Sequence, residues 1–311
     1  MFGRIAAKRE GGVMAVVPYA ERIDVAHVVR LPGERPQLRM LESFAKGARL
    51  SDSLARLSSA RSLRKTYNTS LLAPGAYQIT QMEPPAVPAE ERRNAVRWKL
   101  KELVDFPVDS ASVDLLDIPM EGGRQPAIFA VAAAGESVGQ LMAAFSGAKV
   151  PLDAIDIPEL AQRNVSALLE EPNRGLALLS VTDSGALLTI TRSGELYLVR
   201  RTEISSTQLA GTDADSRERL LERLMLEVQR TLDNFDRQFG FISVSALVVA
   251  ISPMVDGLLA YLAENLFLPV RPLSLQEVMD CSAIPELSNP ERQGQCLFSI
   301  GAALRTLEAT A

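Results

Sequence analysis

Few residues of this sequence have types and spacing that could support catalysis. His27 is the only histidine among 311 residues, and it lies on the apolar face of a segment that alternates from Ile23 to Val29. A serine or cysteine nucleophile needs a base beside it, and a histidine on an apolar strand face is more often structural. Cys281 and Cys296 lie fifteen residues apart, which predicts buried, reduced thiols rather than a zinc cluster. No catalytic residue and no metal ligand is therefore assigned.

A turn that could bind phosphate is the one local chemical feature that the sequence suggests. Residues Thr182–Gly185 read Thr-Asp-Ser-Gly and separate two apolar segments. Backbone amides in such a turn can bind a phosphate, and an aspartate at a strand end can hold Mg²⁺ through water. Asp-Ser-Gly is also common in ordinary hairpin turns, so both interpretations remain open. No Walker A, GxGxxG or GxSxG motif accompanies the turn.

The composition is that of a folded protein with no surplus of positive charge. The chain has 33 basic and 38 acidic residues, a net charge of −5, and is 47% hydrophobic. This balance argues against nucleic acid as a partner and against disorder over most of the chain. No apolar run approaches the roughly 18–20 residues that span a bilayer, and the first residues do not form an export signal. A cytoplasmic location is expected.

Hydrophobic periodicity predicts an α/β fold that carries these residues. Strands are predicted at 13–17, 23–30, 69–73, 77–82, 111–118, 127–132, 175–181, 186–192, 195–201, 244–251 and 268–273. Helices are predicted at 50–65, 90–104, 135–146, 158–169, 215–239, 257–265 and 298–307. The alternation of strands and helices in two unequal halves indicates two α/β lobes.

Two of the predicted helices carry more specific expectations. Helix 90–104 has a buried stripe of Val96, Leu100, Leu103 and Val104, whereas Trp98 projects from another face. A tryptophan there could anchor a partner, although such a residue is more often covered by a neighbouring subdomain. Helix 215–239 begins with Asp-Ser-Arg-Glu, which resembles a capping box, and Gly240 is expected to be a left-handed C-cap. Its apolar stripe comprises Leu220, Leu224, Val228, Leu232, Phe235 and Phe239.

Several segments, spread in order over nearly the whole chain, carry a resemblance to a known family. They are 72–78, 91–103, 105–109, 226–235 and 299–305. Together they resemble the MshI family of mannose-sensitive haemagglutinin (MSHA) pilus biogenesis proteins. These proteins are relatives of PilM of type IV pili, with an actin-like fold similar to FtsA.

The resemblance implies a two-lobed actin-like (PilM/FtsA-like) ATPase fold of the α/β class. The expected parts are a flexible tip at 1–12, a first lobe at 13–175 with an inserted α+β subdomain at 89–157, and a second lobe at 176–298. A C-terminal helix at 299–311 is expected to return to the first lobe. The short connection between residues 204 and 215 implies that the fourth subdomain is reduced or absent.

Nucleotide-binding relatives grip phosphates with two hairpin turns and approach the nucleotide at a glycine turn. Asp183, Ser184 and Gly185 match the second hairpin turn as a vestigial phosphate loop. Val17, Pro18 and Tyr19 replace the first, and residues 250–253, Ala-Ile-Ser-Pro, replace the glycine turn. Proline removes a backbone donor and a Cβ atom obstructs close approach, so ATP binding is expected to have decayed.

The resemblance implies a non-catalytic scaffold of a type IV (MSHA-like) pilus assembly platform. Its expected partner is a bitopic inner-membrane protein of the PilN or MshJ type, bound through its cytoplasmic N-terminal tail, with a homodimer as a further option. The protein is expected to be cytoplasmic and attached to the inner membrane through partners. Candidate partner-binding residues, chosen by position, are Val96, Trp98, Leu103 and Phe106. The alternative is an actin-like switch that binds ATP with Mg²⁺ and hydrolyses it weakly or not at all.

Overall fold

The apolar segments form the strands of three β-sheets, with helices packed against them. The computed structural model describes residues 11–60, 62–121, 125–211 and 213–306, so most of the predicted tip at 1–12 lies outside the described residues. The strands are β1 (Val13–Pro18), β2 (Arg22–Val29), β3 (Gln37–Ala45), β4 (Tyr67–Leu71), β5 (Tyr77–Met82), β6 (Ser112–Ile118), β7 (Ala127–Ala133), β8 (Ala154–Asp156), β9 (Gly175–Thr182), β10 (Gly185–Arg192), β11 (Glu195–Thr202), β12 (Val244–Ile251) and β13 (Val270–Pro272). The helices are α1 (Leu50–Ala60), α2 (Arg92–Leu100), α3 (Gly135–Gly147), α4 (Pro158–Leu169), α5 (Ser206–Gly211), α6 (Ala214–Phe239), α7 (Leu258–Asn265) and α8 (Pro290–Ala303).

The chain divides into two compact units. The first contains the chain up to His27 together with Glu42–Ile157, and the second contains Val28–Leu41 together with the chain from Pro158 onward. Helix α4 belongs to the second unit because it packs against α8 and β10. The lobe boundaries expected from the resemblance, and the return of the last helix to the first lobe, remain predictions.

The first five-stranded sheet has the order β3-β2-β1-β4-β8. Strand β4 pairs in parallel with both β1 and β8, and all five residues from Val13 to Val17 are buried. A central strand buried on both faces reads as a continuous apolar run, which is why β1 could be predicted. The edge strands β3 and β8 were not predicted, since β3 contains Arg39 and Glu42 and β8 is only three residues long.

The three-stranded sheet has the order β5-β7-β6 and is antiparallel. Alternate residues of β7 (Ile128, Ala130 and Ala132) form one apolar cluster with Val96 and Leu100 of α2. The α-helix ends at Leu100, earlier than predicted. Because the chain leaves the helix there, Leu103 is 45% exposed, and its predicted place in the buried stripe is wrong.

The second five-stranded sheet has the order β11-β10-β9-β12-β13. Strands β9, β10 and β11 form the predicted antiparallel meander, and β12 pairs in parallel with both β9 and β13. Between β11 and α6 the described residues contain only the short helix α5. This agrees with the expectation of a reduced fourth subdomain.

Helix α6 confirms the predicted apolar stripe but corrects both predicted ends. Leu224, Val228, Phe235 and Phe239 are buried. The N-cap is Asp213, whose side chain accepts a hydrogen bond from the Ser216 amide, rather than Asp215. Gly240 has a right-handed φ of −56°, because the chain turns instead through a bond from the Ile242 amide to the Phe239 carbonyl at 2.7 Å.

Helix α8 begins at Pro290, eight residues before its predicted start. Asn289 caps it by accepting from the Glu291 amide at 2.9 Å. Gly301 lies so close to the Ala161 carbonyl of α4 that a Cβ atom could not fit, and Asn164 donates to the Gly301 carbonyl at 2.9 Å.

None of the helices in the described part of the chain is long and apolar enough for a bilayer crossing.

Candidate functional site

The candidate phosphate turn closes the pair of strands β9 and β10. Asp183 and Ser184 are exposed at its tip, where Ser184 donates its hydroxyl to Asp183 Oδ1 at 3.0 Å. The Ser184 amide donates to Thr182 Oγ1 at 3.2 Å, and the Thr182 hydroxyl donates to the Gly185 carbonyl at 3.1 Å. The polar groups of the turn thus bond to one another, as they do in an ordinary hairpin turn.

Gly185 is required at this turn for a reason unrelated to phosphate. Its φ is +114°, a conformation that residues with a side chain rarely adopt. A Cβ atom there would lie 2.5 Å from the Thr202 carbonyl oxygen of the neighbouring strand β11. The glycine therefore permits β11 to approach the turn, and its presence alone does not indicate a nucleotide site.

The β1–β2 turn, at the position of the other phosphate loop, is closed by groups of the protein itself. The Tyr19 amide donates to the Arg22 carbonyl at 2.8 Å. Lys46 donates its amide to the Glu21 carbonyl at 2.9 Å and its ammonium to the Tyr19 carbonyl at 2.7 Å. Pro18 has no backbone N–H to offer. A cation of the chain therefore lies against the turn on which a phosphate would have to bind.

A buried carboxylate supports the same turn. Asp24 is fully buried, and both of its carboxylate oxygens lie 3.2 Å from Arg22 Nε. Ser43 donates its hydroxyl to Asp24 Oδ1 at 2.6 Å, and the Arg22 guanidinium lies 4.2 Å from the centre of the Tyr19 ring. Sequence reasoning missed this cluster because Ser43 is on the unpredicted strand β3 and Lys46 comes directly after the end of that strand. The spacing of Arg22 and Asp24, two residues apart on one strand face, was the available signal.

The third nucleotide feature, the segment 250–253, is packed by neighbouring elements. Ala250 and Ile251 are buried, and a Cβ atom on Gly294 of α8 would lie 2.6 Å from the Ile251 carbonyl oxygen. The Ser252 amide donates to the Val181 carbonyl at 2.9 Å, and Ser206 donates its hydroxyl to the Ser252 carbonyl at 3.2 Å.

The four candidate partner-binding residues have different environments. Val96 is fully buried, and Phe106 is partly buried against the cluster that contains Val96. Leu103 is 45% exposed just beyond the end of α2. Trp98 is 75% exposed, and Lys101 Nζ lies 6.0 Å from its ring centre. Two residues separate about 200° around a helix, so Trp98 points away from the face that holds Val96 and Leu100.

The titratable groups singled out in the sequence do not form a catalytic pair. His27 Nε2 lies 3.1 Å from the Gly11 carbonyl oxygen. Burial raises the pKa of the Cys281 thiol to about 11, with a smaller contribution from the Asp280 carboxylate, so the thiol is protonated at neutral pH. Within the described ranges, no cluster of three or more His, Cys, Asp or Glu side chains could hold a metal ion.

Comparison with known proteins finds similar structures but no family. No protein-family model and no curated protein matches the chain. A chain of the PilM–PilN type IV pilus biogenesis complex is 21% identical, with a TM-score of 0.74 over 94% of this chain and 98% of that one. The cytoplasmic domain of EpsL, an inner-membrane component of the Vibrio cholerae type II secretion system, is 13% identical, with a TM-score of 0.52 over 96% and 97%. A Bacteroides thetaiotaomicron protein with an actin-like ATPase fold is 10% identical, with a TM-score of 0.50 over 93% and 99%.

This chain has the actin-like ATPase fold. The fold predicted from the resemblance is thereby confirmed, whereas membership of the MshI family is not. Within the actin-like fold, the two hairpin turns and the segment 250–253 at the end of β12 are the elements that the resemblance associates with nucleotide. In this chain each of them forms hydrogen bonds or close packing with other parts of the protein.

Proposed function

We propose that this actin-like protein is a non-catalytic, MshI-type scaffold of a type IV pilus assembly platform. It binds the cytoplasmic N-terminal tail of a bitopic inner-membrane partner of the PilN or MshJ type, and is thereby held at the cytoplasmic side of the inner membrane. The observation that carries the proposal is similarity over nearly the whole length to a chain of the PilM–PilN complex, with a TM-score of 0.74.

The absence of catalysis is supported by the geometry of the hairpin turns. Phosphate binding at such turns depends on backbone amides and nearby cations that are available to the ligand. In this chain the Ser184 amide donates to Thr182, and the Lys46 ammonium donates to the Tyr19 carbonyl. A phosphate that binds the Ser184 amide would have to displace the bond from this amide to Thr182, which opposes binding.

Trp98 and Leu103 are the residues that we propose contact the tail. Both are large apolar side chains with exposed surface, and tryptophan is among the residues that most often dominate binding energy. Val96 and Phe106 belong to the apolar cluster beneath α2, so their proposed role is to hold the helix in place rather than to touch the partner.

Intrinsic fluorescence can test the proposal directly, because Trp98 is the only tryptophan of the chain. A synthetic peptide with the cytoplasmic N-terminal tail of a PilN-type protein from the same organism is titrated into it. Binding is expected to shift the emission to shorter wavelength as the ring leaves water. In calorimetry, Trp98→Ala is expected to weaken the affinity by at least about tenfold.

Phe267→Ala is the matched control, because Phe267 is likewise an exposed aromatic residue but lies in the second unit. It is expected to leave the affinity unchanged. Failure of the wild-type protein to bind the peptide contradicts the proposed partner. Equal affinity of the Trp98→Ala and wild-type proteins contradicts the proposed contact surface.

A second candidate function is an actin-like switch that binds ATP and Mg²⁺. The exposed Asp183–Ser184 tip favours it, since a carboxylate there is accessible to a hydrated cation. Calorimetric titration with Mg·ATP separates the two functions. Micromolar binding that Asp183→Ala abolishes supports the switch, whereas the scaffold predicts no measurable heat.

A further inference from the structure

One short segment of this acidic protein is strongly basic. Residues 46–65 contain six basic residues and one acidic residue, although the whole chain has a net charge of −5. The basic residues are Lys46, Arg49, Arg56, Arg61, Arg64 and Lys65, of which Arg61 lies outside the described residues. The segment includes α1, and the whole of it belongs to the first unit.

The basic side chains lie on the exposed side of α1 and at both of its ends. Leu54 and Leu57 are buried, whereas Arg56 of α1 and Arg49, which directly precedes the helix, are exposed. Arg64 follows the helix, and its guanidinium lies 3.4 Å from the Ser58 hydroxyl of the last turn. An eleven-residue helix is about 16 Å long, so the charges extend over that distance.

Further features lie beside this basic surface, defined as Arg49, Arg56, Arg64, Lys65 and Lys149. Helix α3 packs against α1, and a Cβ atom on Gly147 would lie 3.7 Å from the Ser51 Cβ. Lys149, two residues beyond Gly147, is also exposed. Helix α3 has a single charged residue, Glu136, and exposes the apolar side chain of Met142.

Two carboxylates of the first unit accept hydrogen bonds from neighbouring groups of the chain. Asp52 is on the exposed side of α1 and accepts from the Ser51 hydroxyl at 3.5 Å, while Asp153 accepts from the Asn68 amide at 2.8 Å. Among the described residues, no carboxylate forms an ion pair with Arg49, Arg64 or Lys65. Their charge is therefore directed toward solvent.

From this arrangement we infer that the basic surface docks on an anionic lipid bilayer. A single phosphate needs only one or two cations, whereas charges spread over about 16 Å match an extended array of phosphates. Helix α3 beside the surface, with Glu136 as its single charged residue and Met142 exposed, favours a bilayer over an acidic polypeptide, because an apolar side chain adds to the attraction at the lipid interface.

Vesicle co-sedimentation tests this inference. The full chain is mixed with phosphatidylcholine vesicles that contain 30% phosphatidylglycerol, or none, in about 50 mM salt. Binding is expected only to the anionic vesicles and is expected to disappear in about 500 mM salt, because screening then acts within about 4 Å. Each cation near the surface contributes about fivefold in affinity, so the triple variant Arg49→Gln, Arg64→Gln, Lys65→Gln should bind about 100-fold more weakly.

The matched control removes three exposed arginines from helix α6: Arg219→Gln, Arg223→Gln and Arg230→Gln. It changes the net charge equally and is expected to retain vesicle binding, and the melting temperature of both variants verifies their folding. The inference is overturned if the wild-type protein does not bind anionic vesicles, if both triple variants lose binding equally, or if the protein binds polyglutamate in preference to the vesicles. The inference rests on the proposed function only for its setting at an inner membrane. The peptide titration contains no lipid, so the two proposals can fail separately.

Discussion

Ser180 donates its hydroxyl to Gln162 Oε1 at 2.7 Å, and this bond joins helix α4 to strand β9 inside the second unit. The Gln162 amide nitrogen lies 2.8 Å from the Leu178 carbonyl, 3.2 Å from the Leu187 carbonyl and 3.0 Å from Thr189 Oγ1. Gln162 is fully buried, so water cannot replace these bonds if the side chain is changed.

Gln162→Leu is expected to lower the free energy of unfolding by about 3 kcal/mol, because the buried Ser180 and Thr189 hydroxyls and two carbonyls lose the bonds that Gln162 makes with them. Urea denaturation followed by circular dichroism measures this change. Gln140→Leu on the exposed side of α3 is the matched control, and it should change the free energy by less than about 0.5 kcal/mol. Equal effects of the two substitutions would show that the buried network does not stabilise the fold.

Gly185→Ala tests whether the candidate phosphate turn is constrained by strand packing. The φ of +114° and the Thr202 carbonyl 2.5 Å from the new methyl group predict a loss of about 3 kcal/mol. Gly139→Ala in helix α3, where no atom lies within 4 Å, should instead stabilise the protein by up to about 1 kcal/mol. Thermal unfolding compares the two variants, and a neutral Gly185→Ala would contradict the packing argument.

Lys46→Met tests the closure of the β1–β2 turn. Loss of the 2.7 Å bond from the ammonium to the Tyr19 carbonyl should cost about 1 kcal/mol and increase hydrogen exchange in a peptide that covers residues 18–22. The measurement is exchange mass spectrometry without nucleotide. Lys65→Met, an exposed residue outside the turn, should leave that peptide unchanged. Unaltered exchange in Lys46→Met would mean that the turn is held by other contacts.

Asp213 predicts an acid-dependent contribution to stability. Hydrogen bonds from the Ser216 amide and hydroxyl lower the pKa of the Asp213 carboxyl below its ordinary 3.8. A lowered pKa in the folded state stabilises the protein above the unfolded value, and this stabilisation is lost as the pH falls from 3.8 through the folded pKa.

The melting temperature of Asp213→Ala relative to the wild-type protein measures this contribution between pH 7 and pH 2. The difference in melting temperature between the two proteins should be constant at neutral pH and should shrink once the pH falls below 3.8, the ordinary pKa of an aspartate carboxyl. Asp213→Ser keeps a capping oxygen that does not titrate. Its melting temperature at neutral pH should therefore lie closer to that of the wild-type protein than the melting temperature of Asp213→Ala does. A difference that stays the same down to pH 2 would contradict the capping role.

The sequence predicts secondary structure best where one physical pattern dominates. Strands β1, β9, β10 and β12 are buried on both faces and form apolar runs, and α6 has an uninterrupted apolar stripe. Helix α8 begins earlier than predicted because its first two turns contain polar residues such as Arg292 and Gln295. Polar residues can occupy helix positions that the tertiary fold supports, so the apolar pattern alone does not mark the start of such a helix.

The candidate site also combines features that the sequence predicts with features that depend on the tertiary structure. The amino-acid sequence by itself determined the α/β class, the Asp183–Ser184 turn, the presence of proline at residue 18 and the projection of Trp98 away from the buried stripe of its helix, since each follows from residue type or spacing along the chain. Only the tertiary structure decided that Lys46 binds the Tyr19 carbonyl and that Gln162 joins α4 to the second five-stranded sheet. Lys46 is 27 residues from Tyr19, and contacts over such distances depend on how strands and helices pack, which local periodicity does not specify.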